Sequence, residues 1–262
     1  MKKLSVLILG ILLITSCRKV IDVDLNEANS VTVIEGNFSA EDSTVRVSVT
    51  QTANFFSNDE QPSIDDATVT ITDYLGTVTA VPFLGNGNYE LANYIPTFGT
   101  DYTITVIAAG ATHIATSKMH EAVVQSPIYY EYTDGFFGSD PGYIAFLSYQ
   151  DPAEEGNYTI SYVTVNDTTQ IELDDILLND DNLTNGNLVL RPIFPNLFEV
   201  GDSLHLELRT VSENVYDYYT ELQSLTDPSS AAPANPDFQW TNKAFGYFSA
   251  YSSSRQGTTI VE

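Results

Sequence analysis

VTVIEGNF (31–38) and TVRVSVTQ (44–51) are two runs of β-branched residues, separated by a short polar segment that contains Glu41 and Asp42. Within each run, apolar and polar side chains alternate, which is the period of a strand with one buried face. Valine, isoleucine and threonine also suit the pleated surface of a sheet. The two runs therefore predict two β-strands joined by a turn.

Further runs of the same kind follow before residue 120. They are ATVTITDY (67–74), TVTAVPF (77–83), NYELAN (88–93), DYTITVIA (101–108) and THIATSKM (112–119). Turn signals such as GNGN (85–88) and GTD (99–101) separate them. Short strands at near-regular spacing predict an immunoglobulin-like or fibronectin-like β-sandwich over residues 30–120. The cysteine and tryptophan hallmarks of antibody domains are absent from this range.

A second β domain is predicted over residues 125–262, and it opens with a stretch crowded with aromatic residues. Its strand-like runs are GYIAFLSYQ (142–150), NYTISYVTV (157–165), TTQIELDD (168–175), GNLVLRPIF (186–194) and DSLHLELRTVS (202–212). Apolar residues at helical spacing then predict one helix near residues 213–226, with a loop over 227–237 beyond it. The aromatic run after Asn242-Lys243 predicts another strand, and TTIVE (258–262) a last one. The fold class is therefore mainly β, two sandwich-like domains with one helix.

The first sixteen residues predict a lipoprotein signal peptide. Lys2 and Lys3 precede an apolar run that is too short to span a bilayer as a stable helix. The run ends in Ile14-Thr15-Ser16-Cys17, which resembles the lipobox of bacterial lipoproteins and implies lipid attachment at Cys17. The alternative is an ordinary secretory signal followed by chance by a cysteine. Residues 17–29 are expected to form a lipidated tether or a first strand.

Composition excludes several classes of function. The formal charge is −25, from 35 acidic against 10 basic residues. A phosphate backbone or an anionic lipid surface would repel the protein body, so no nucleic-acid partner is predicted. Cys17 is the one cysteine of the chain, which excludes an intrachain disulfide and a cysteine-cluster metal site. No nucleotide-binding motif occurs, and no cofactor is predicted.

Candidate catalytic and metal-binding residues are weakly supported. His113, His120 and His205 lie on different predicted strands without acidic partners at metal-ligand spacing, so no metal ligand is assigned. Adjacent carboxylates such as Glu154 and Glu155 keep a hydrolase open, but such pairs are expected by chance in an acidic chain. The loop DDNLTNGN (180–187) has oxygen ligands but not the EF-hand spacing, which leaves an irregular calcium site open.

Aromatic residues are the candidates for a partner or ligand surface. Phe136 and Phe137 occupy a turn-rich segment, and Trp240, Tyr247 and Phe248 belong to the last aromatic run. Exposed aromatics suit a protein or sugar surface. Packing inside a core is the favoured alternative for both groups.

The order of these features resembles a family of Bacteroidota lipoproteins described as a domain of unknown function, number 4249. The resemblance is carried by the lipobox, IDVDL, VTVIEGNF, DDATVTITDYLG, GTDYTITV, the tyrosine-rich segment after LELRTVS, and the closing Trp-Thr-Asn and Phe-Gly-Tyr-Phe-Ser-Ala segments. It assigns Cys17 as the lipid site and Gly246-Tyr247-Phe248 as the family's terminal motif. Lys243-Ala244-Phe245 departs from the Asn-Gly-Leu-like approach expected before that motif.

The resemblance implies an outer-membrane, periplasmic or surface accessory protein, often encoded beside TonB-dependent transporters, and it does not imply an enzyme. Arg18 and Lys19 directly follow the cysteine, whereas surface lipoproteins of that phylum commonly carry acidic residues there; this favours the periplasmic face over the cell surface. We therefore expect a non-catalytic scaffolding or binding partner of an envelope transport or assembly complex. The main alternative is a surface module that binds glycans or peptides, and a hydrolase comes last.

Overall fold

The computed structural model describes residues 30–53, 61–135, 140–180, 182, 184–193, 197–226 and 236–262. The strands are β1 (Thr32–Ser39), β2 (Thr44–Gln51), β3 (Thr68–Thr72), β4 (Val78–Ala80), β5 (Phe83–Gly85), β6 (Asn88–Leu91), β7 (Thr100–Ala108), β8 (Ala111–Met119), β9 (Tyr129–Thr133), β10 (Gly142–Gln150), β11 (Tyr158–Val165), β12 (Thr168–Thr169), β13 (Leu177–Asn179), β14 (Leu188–Pro192), β15 (Ser203–Val211) and β16 (Phe248–Thr259). Helix α1 is Glu213–Thr226, and two 3-10 turns are Leu173–Asp175 and Thr241–Lys243. The mainly β fold, with one α-helix among the described residues, is confirmed.

The strands form one large sheet and two small ones. The large sheet has the order β12-β11-β15-β16-β1-β2-β6-β5, with β13 also pairing with β11. The small sheets are β4-β3-β7-β8 and β14-β10-β9. Each small sheet packs against a different half of the large one, because buried side chains from each pair of sheets form separate hydrophobic cores. The molecule is thus two sandwiches that share a continuous sheet.

Strand β16 joins the two halves of the large sheet. Its first residues pair with β1 in parallel, from Gly36 opposite Phe248 to Ser39 opposite Tyr251. Its later residues pair with β15 in an antiparallel register, from Thr210 opposite Ser252 to Ser203 opposite Thr259. A single strand therefore provides hydrogen bonds to both sandwiches.

The first core also takes side chains from the end of the chain. Trp240, Ala244, Phe248 and Ala250 are all buried among residues of β1, β2, β3, β7 and β8. Sequence reasoning placed them in a second domain that starts at residue 125, because it divided the chain where the composition changes. In the structure the residues that complete the first core come from both sides of that division.

Local strand expectations differ from the structure in three places. TTQIELDD (168–175) was expected to be one strand, but only Thr168–Thr169 pairs, and the chain then turns into the 3-10 segment Leu173–Asp175. Two residues in positive-φ conformations, Asn166 and Asp167, make the tight turn that brings β12 back onto β11. TVTAVPF (77–83) is split between β4 and β5, since Val81 hydrogen-bonds to Val69 while Phe83 pairs in the other sheet. TTIVE (258–262) is not a separate strand, because β16 runs unbroken to Thr259.

Within the described ranges, no helix has the length and apolar character needed to cross a membrane. The signal peptide, Cys17 and the tether or first strand expected over 17–29 lie outside the described residues.

Candidate functional site

The outer face of the large sheet, which points away from the two small sheets, carries a network of tyrosine and arginine side chains. Tyr162 on β11 donates a hydrogen bond through its hydroxyl to Tyr219 of helix α1, at 3.2 Å. The Tyr219 hydroxyl in turn donates to Tyr247, also at 3.2 Å. Asn37 on β1 donates its amide to the Tyr247 hydroxyl at 3.3 Å. The chain of hydroxyls thus ties helix α1 to both halves of the sheet.

Arg209 lies beside this chain, between two aromatic rings. Its guanidinium carbon is 4.4 Å from the ring centroids of both Tyr162 and Tyr251, the range of cation–π contacts. Arg209 also pairs with Glu207 at 3.1 Å, and Arg255 approaches the other oxygen of the same carboxylate at 3.0 Å. Glu207 therefore accepts from two guanidinium groups.

These contacts shift the titration of the buried groups in the network. Burial alone would raise the pKa of Glu207, but hydrogen bonds and charges from Arg209 and Arg255 outweigh it, so the pKa lies below its ordinary value. Burial, with the nearby charge of Glu35, raises the pKa of Tyr218 to about 12. Burial also raises the pKa of Tyr247. Burial also raises the pKa of Tyr219, so Tyr219 and Tyr247 stay protonated at neutral pH, and their hydroxyls hold helix α1 on the sheet through hydrogen bonds.

A shallow groove of about 520 Å³ lies next to Arg255 on the same face. Thr164, His205 and Gly257 form one cross-strand row of its lining. The imidazole of His205 occupies the space above Gly257, because a Cβ atom there would stand only 2.5 Å from His205 Nδ1. Hydroxyl, imidazole and guanidinium groups make this groove polar.

The terminal Gly-Tyr-Phe motif is explained by the junction between β1 and the segment before β16. Gly246 has a φ of +95°, and a Cβ atom at this position would overlap the backbone of Ile34. Tyr247 points to the outer face and joins the hydroxyl chain, whereas Phe248 points inward and is fully buried. Each residue of the motif thus has its own role. Gly246 permits the close contact of the two chain segments, Tyr247 joins the outer network, and Phe248 fills the first core.

The structure separates the aromatic residues that sequence reasoning put forward as a partner or ligand surface. For Trp240 and Phe248 the surface alternative is wrong, because their side chains are 2% and 0% exposed in the first core. The Trp240 indole donates to the carbonyl of Ile34 at 3.0 Å, which satisfies its polar group inside that core. Tyr247 is half-buried in the outer network. Phe136 and Phe137 lie outside the described residues.

A different set of residues forms an exposed surface. The side of the sheet β14-β10-β9 that faces away from the second core carries apolar side chains on all three strands. We call this surface the apolar face, and its apolar side chains are Tyr129, Ile144, Phe146, Leu188, Leu190 and Pro192, of which Ile144, Phe146 and Pro192 are half-buried. Glu131, Ser148 and Gln150 share this side of the sheet. Tyr129 is 51% exposed, Leu188 62% and Leu190 54%. The rings of Tyr129 and Phe146 stack at 5.6 Å between centroids, so the surface is ordered across the strands.

Strand β14 carries a sequence signal for this surface. In LVLRP (188–192), Val189 is buried in the second core, yet Leu188, Leu190 and Pro192 on the other side of the strand are also apolar. A strand that covers one core and faces water should alternate between apolar and polar residues. Apolar residues at both odd and even positions predict a strand whose two sides are both apolar, so that each side needs to be shielded from water.

Metal-ligand constellations are not found in the part of the chain that the structure describes, where no group of three or more histidine, cysteine or acidic side chains converges. His113 and His120 lie on and after β8, and His205 lies on β15. Burial lowers the pKa of His120, which keeps its ring neutral near pH 7. In the loop over residues 180–187, where an irregular calcium site stayed open as an alternative, the side chain of Asn182 donates to Asp180 at 2.7 Å. Asp181 and Leu183 of this loop are outside the described residues.

Three of the solved structures that are similar to this chain come from chicken proteins. A two-domain fibronectin type-III segment of chicken tenascin shares 12% identity, over 70% of this chain and 92% of that one, with a TM-score of 0.22. The FN1-FN3 domains of chicken CNTN1 share 11% identity, over 70% and 61% of the two chains, with a TM-score of 0.31. The chicken interferon gamma receptor alpha chain shares 11% identity, over 70% and 89%, with a TM-score of 0.19.

No curated protein matches this sequence. The model of a family described as a domain of unknown function, DUF4249, matches residues 18–257. This match spans nearly all of the described structure, including both sandwiches, the outer network and the apolar face. The chain therefore belongs to the DUF4249 family.

Proposed function

We propose that this chain is a non-catalytic lipoprotein of the Bacteroidota outer membrane, anchored through lipid on Cys17, with the periplasmic face favoured. In this proposal it acts as an accessory or scaffolding partner of an envelope transport or assembly complex of the TonB-dependent-transporter type. The lipobox and the family resemblance support the anchor and the location. The apolar face is the observation that carries the binding role.

The apolar face supports a binding role because soluble proteins rarely gather many apolar side chains on one exposed side of a sheet. Scattered exposed leucines are ordinary, but here six apolar side chains share one side of a three-stranded sheet. Covering such a surface is favourable by roughly 25 cal/mol for each Å² removed from water. A partner that covers it gains this free energy without reorganising the strands, because the second core holds them from below.

Lipid attachment would make a modest affinity sufficient. Several acyl chains on one residue anchor a protein stably, since each buried methylene contributes about 0.8 kcal/mol. A protein confined to the membrane plane meets a membrane partner at a raised local concentration. The binding surface then needs only to select the partner, and the anchor provides the proximity.

The proposal is tested by gentle detergent extraction of the native outer membrane, with the chain tagged at Glu262, followed by mass spectrometry of the N-terminal peptide and the bound proteins. We expect lipid on Cys17 and stoichiometric recovery of a transport or assembly protein. The variant Leu190→Asp should lose that protein. Ile95→Asp is the matched control, because Ile95 is 82% exposed and lies in the first sandwich. An unmodified Cys17, or equal recovery with both variants, contradicts the proposal.

A second candidate, a module that binds glycans or peptides, is favoured by the polar groove. Its lining of Thr164, His205 and Arg255 offers hydrogen-bond donors and acceptors beside an exposed strand backbone at Gly257. Titration calorimetry with soluble oligosaccharides and peptides tests this candidate. Binding that His205→Ala abolishes would support it, while binding unaffected by that substitution would place the ligand elsewhere.

A further inference from the structure

The acidic residues of this chain are distributed unevenly. Between Met119 and Leu208 the sequence carries sixteen aspartates and glutamates, but Arg191 is the one basic residue of that range. This stretch supplies β9, β10 and β14, the three strands of the apolar face. The strands of the apolar face therefore come from an acidic stretch of the chain in which Arg191 is the one basic residue.

Acidic side chains border the apolar face on several sides. Glu131 lies on the face itself, opposite Ile144, and accepts a hydrogen bond from the Tyr129 hydroxyl at 2.8 Å. Asp134 and Asp140 are exposed at the end of the sheet where β9 connects to β10. Glu154 and Glu155 are exposed at the opposite end, in the loop after β10.

That loop lies next to the start of β14. Asp151 donates its backbone N–H to the carbonyl of Asn187 at 3.0 Å, and Gly186 donates to the carbonyl of Pro152 at 3.1 Å. Glu154 and Glu155 therefore follow a segment that is fixed beside Leu188. Both ends of the apolar face carry carboxylates.

Arg191 does not neutralise this border. It alternates with Leu190 and Pro192 along β14, so its side chain leaves from the other side of the strand. Its guanidinium donates to the backbone carbonyl of Leu178 and to the side-chain oxygen of Asn179, on strand β13. The positive charge is held at the edge of the second sandwich, away from the apolar face.

We infer that the apolar face binds a protein surface whose apolar centre is bordered by lysine and arginine side chains. This inference rests on the proposed function and specifies the partner's chemistry. A second copy of this chain would place carboxylate borders against each other, and an anionic lipid surface would meet the same repulsion. Opposite charge around an apolar centre fixes orientation and accelerates encounter, with a range of about 8 Å at physiological salt.

The test uses benzoylphenylalanine introduced at Leu190 of the full-length chain in its native membrane, with the same photo-crosslinker at Ile95 as the control. The cross-linked peptide is identified by mass spectrometry. The yield is compared at low and high salt, and between the parent and the triple variant Glu131→Gln, Glu154→Gln, Glu155→Gln. A charge control carries Asp66→Asn and Asp101→Asn, which remove exposed carboxylates from the first sandwich.

We expect cross-linking at position 190 to a peptide with basic residues next to apolar ones. The yield should fall severalfold in high salt and in the triple variant, and stay unchanged in the charge control. Cross-links to a second copy, to lipid or to a segment without basic residues overturn the inference but leave a binding role for the face. A cross-linking yield that changes neither with salt nor in the triple variant also overturns the inference and leaves a binding role for the face. Absence of any cross-link specific to position 190 removes the proposed binding role as well.

Discussion

At position 246 the backbone passes so close to strand β1 that no side chain fits. Gly246 has a φ of +95°, and a Cβ atom at this position would meet the backbone of Ile34. Backbone atoms cannot move aside as the end of a flexible side chain can. Gly110 has a similar positive φ of +77°, but open space surrounds the position where its Cβ atom would lie. A comparison of Gly246 with Gly110 therefore separates the effect of backbone strain on stability from the effect of steric overlap.

Gly246→Ala should lower the free energy of unfolding by at least about 3 kcal/mol, because backbone strain of about 1–3 kcal/mol adds to the displacement of β1. Gly110→Ala should lower it by only about 1–2 kcal/mol, since it has the strain alone. Urea unfolding followed by Trp240 fluorescence measures both. Equal losses for the two variants would mean that the close approach at Ile34 contributes nothing.

Glu207 makes stability depend on pH. A carboxyl whose pKa is lowered on folding stabilises the folded protein fully above its ordinary value of 4.5, and this stabilisation is lost as the pH falls through the folded value. Glu207→Gln should therefore lower the free energy of unfolding at pH 7 by about 1–3 kcal/mol, the usual contribution of a charged hydrogen bond. The difference from the parent protein should shrink steadily below pH 4.5.

Urea midpoints measured at several pH values test this expectation, and Glu90→Gln is the control. Glu90 pairs with Arg46 at 3.1 Å, but the two side chains are 36% and 48% exposed, so the pair contributes little. A difference at Glu207 that is constant from pH 7 to pH 3 would contradict the expected role of its charge.

The burial of an individual residue was predictable from the sequence only where the local pattern alone determines it. An apolar residue inside an alternating strand, such as Val47, is buried as the pattern indicates. Trp240 could not be placed, because its burial depends on β1, which lies some 200 positions earlier in the chain. The sequence contains no local pattern that predicts the position of Arg209, because its two tyrosine partners lie on different strands.

Strand β8 shows how an element at the edge of a sheet is protected. On one side it pairs with β7, and on the other the 3-10 segment Thr241–Lys243 covers part of its backbone. The N–H of Ile114 donates to the Thr241 hydroxyl at 2.9 Å, and the Asn242 amide donates to the carbonyl of Thr112 at 2.6 Å. These side chains thus satisfy backbone N–H and C=O groups of β8 that could otherwise pair with another strand.

Thr241→Val should increase hydrogen exchange at the amide of Ile114 about tenfold, because it removes the hydroxyl that accepts from this amide with little change of shape. The amide of Val106, on the central strand β7, should not change. Exchange measured by NMR gives both rates in one sample. An unchanged rate at Ile114 would show that Thr241 does not protect this edge.

Whole elements were predicted better than their partners. Strands β2 and β10 and the helix agree with the sequence expectation at their ends, because alternation and helical spacing are local properties. The pairing of β1 with β16 is a long-range property that no local pattern contains. The apolar face is long-range in the same sense, because whether the second side of β14 is covered depends on how the whole sheet packs.

The two sandwiches should behave as one unit at the scale of the whole molecule. Trp240, the one tryptophan of the chain, reports on the first core, while Leu206 lies in the second core and is 1% exposed. Strand β16 connects them through a continuous hydrogen-bonded sheet. Destabilising one core should therefore be detectable in the other.

Leu206→Ala should lower the urea midpoint of the Trp240 fluorescence transition, by an amount that corresponds to about 2–5 kcal/mol. The far-UV circular dichroism transition should move with it, as expected for one cooperative unit. Ile34→Ala, in the first core, should have a similar effect on both signals. A Trp240 transition that stays in place in Leu206→Ala would show that the sandwiches unfold independently.

The parallel pairing of β1 with β16 also sets a timetable for biosynthesis. More than 200 residues separate Gly36 from its partner Phe248, so at about 5–20 residues per second a ribosome releases the second strand roughly 10–40 s after the first. Throughout that interval β1 lacks its neighbour, and the first sandwich lacks Trp240 and Phe248. The first sandwich therefore cannot complete its sheet or its core until the last strand emerges, so its folding is post-translational for nearly the whole chain.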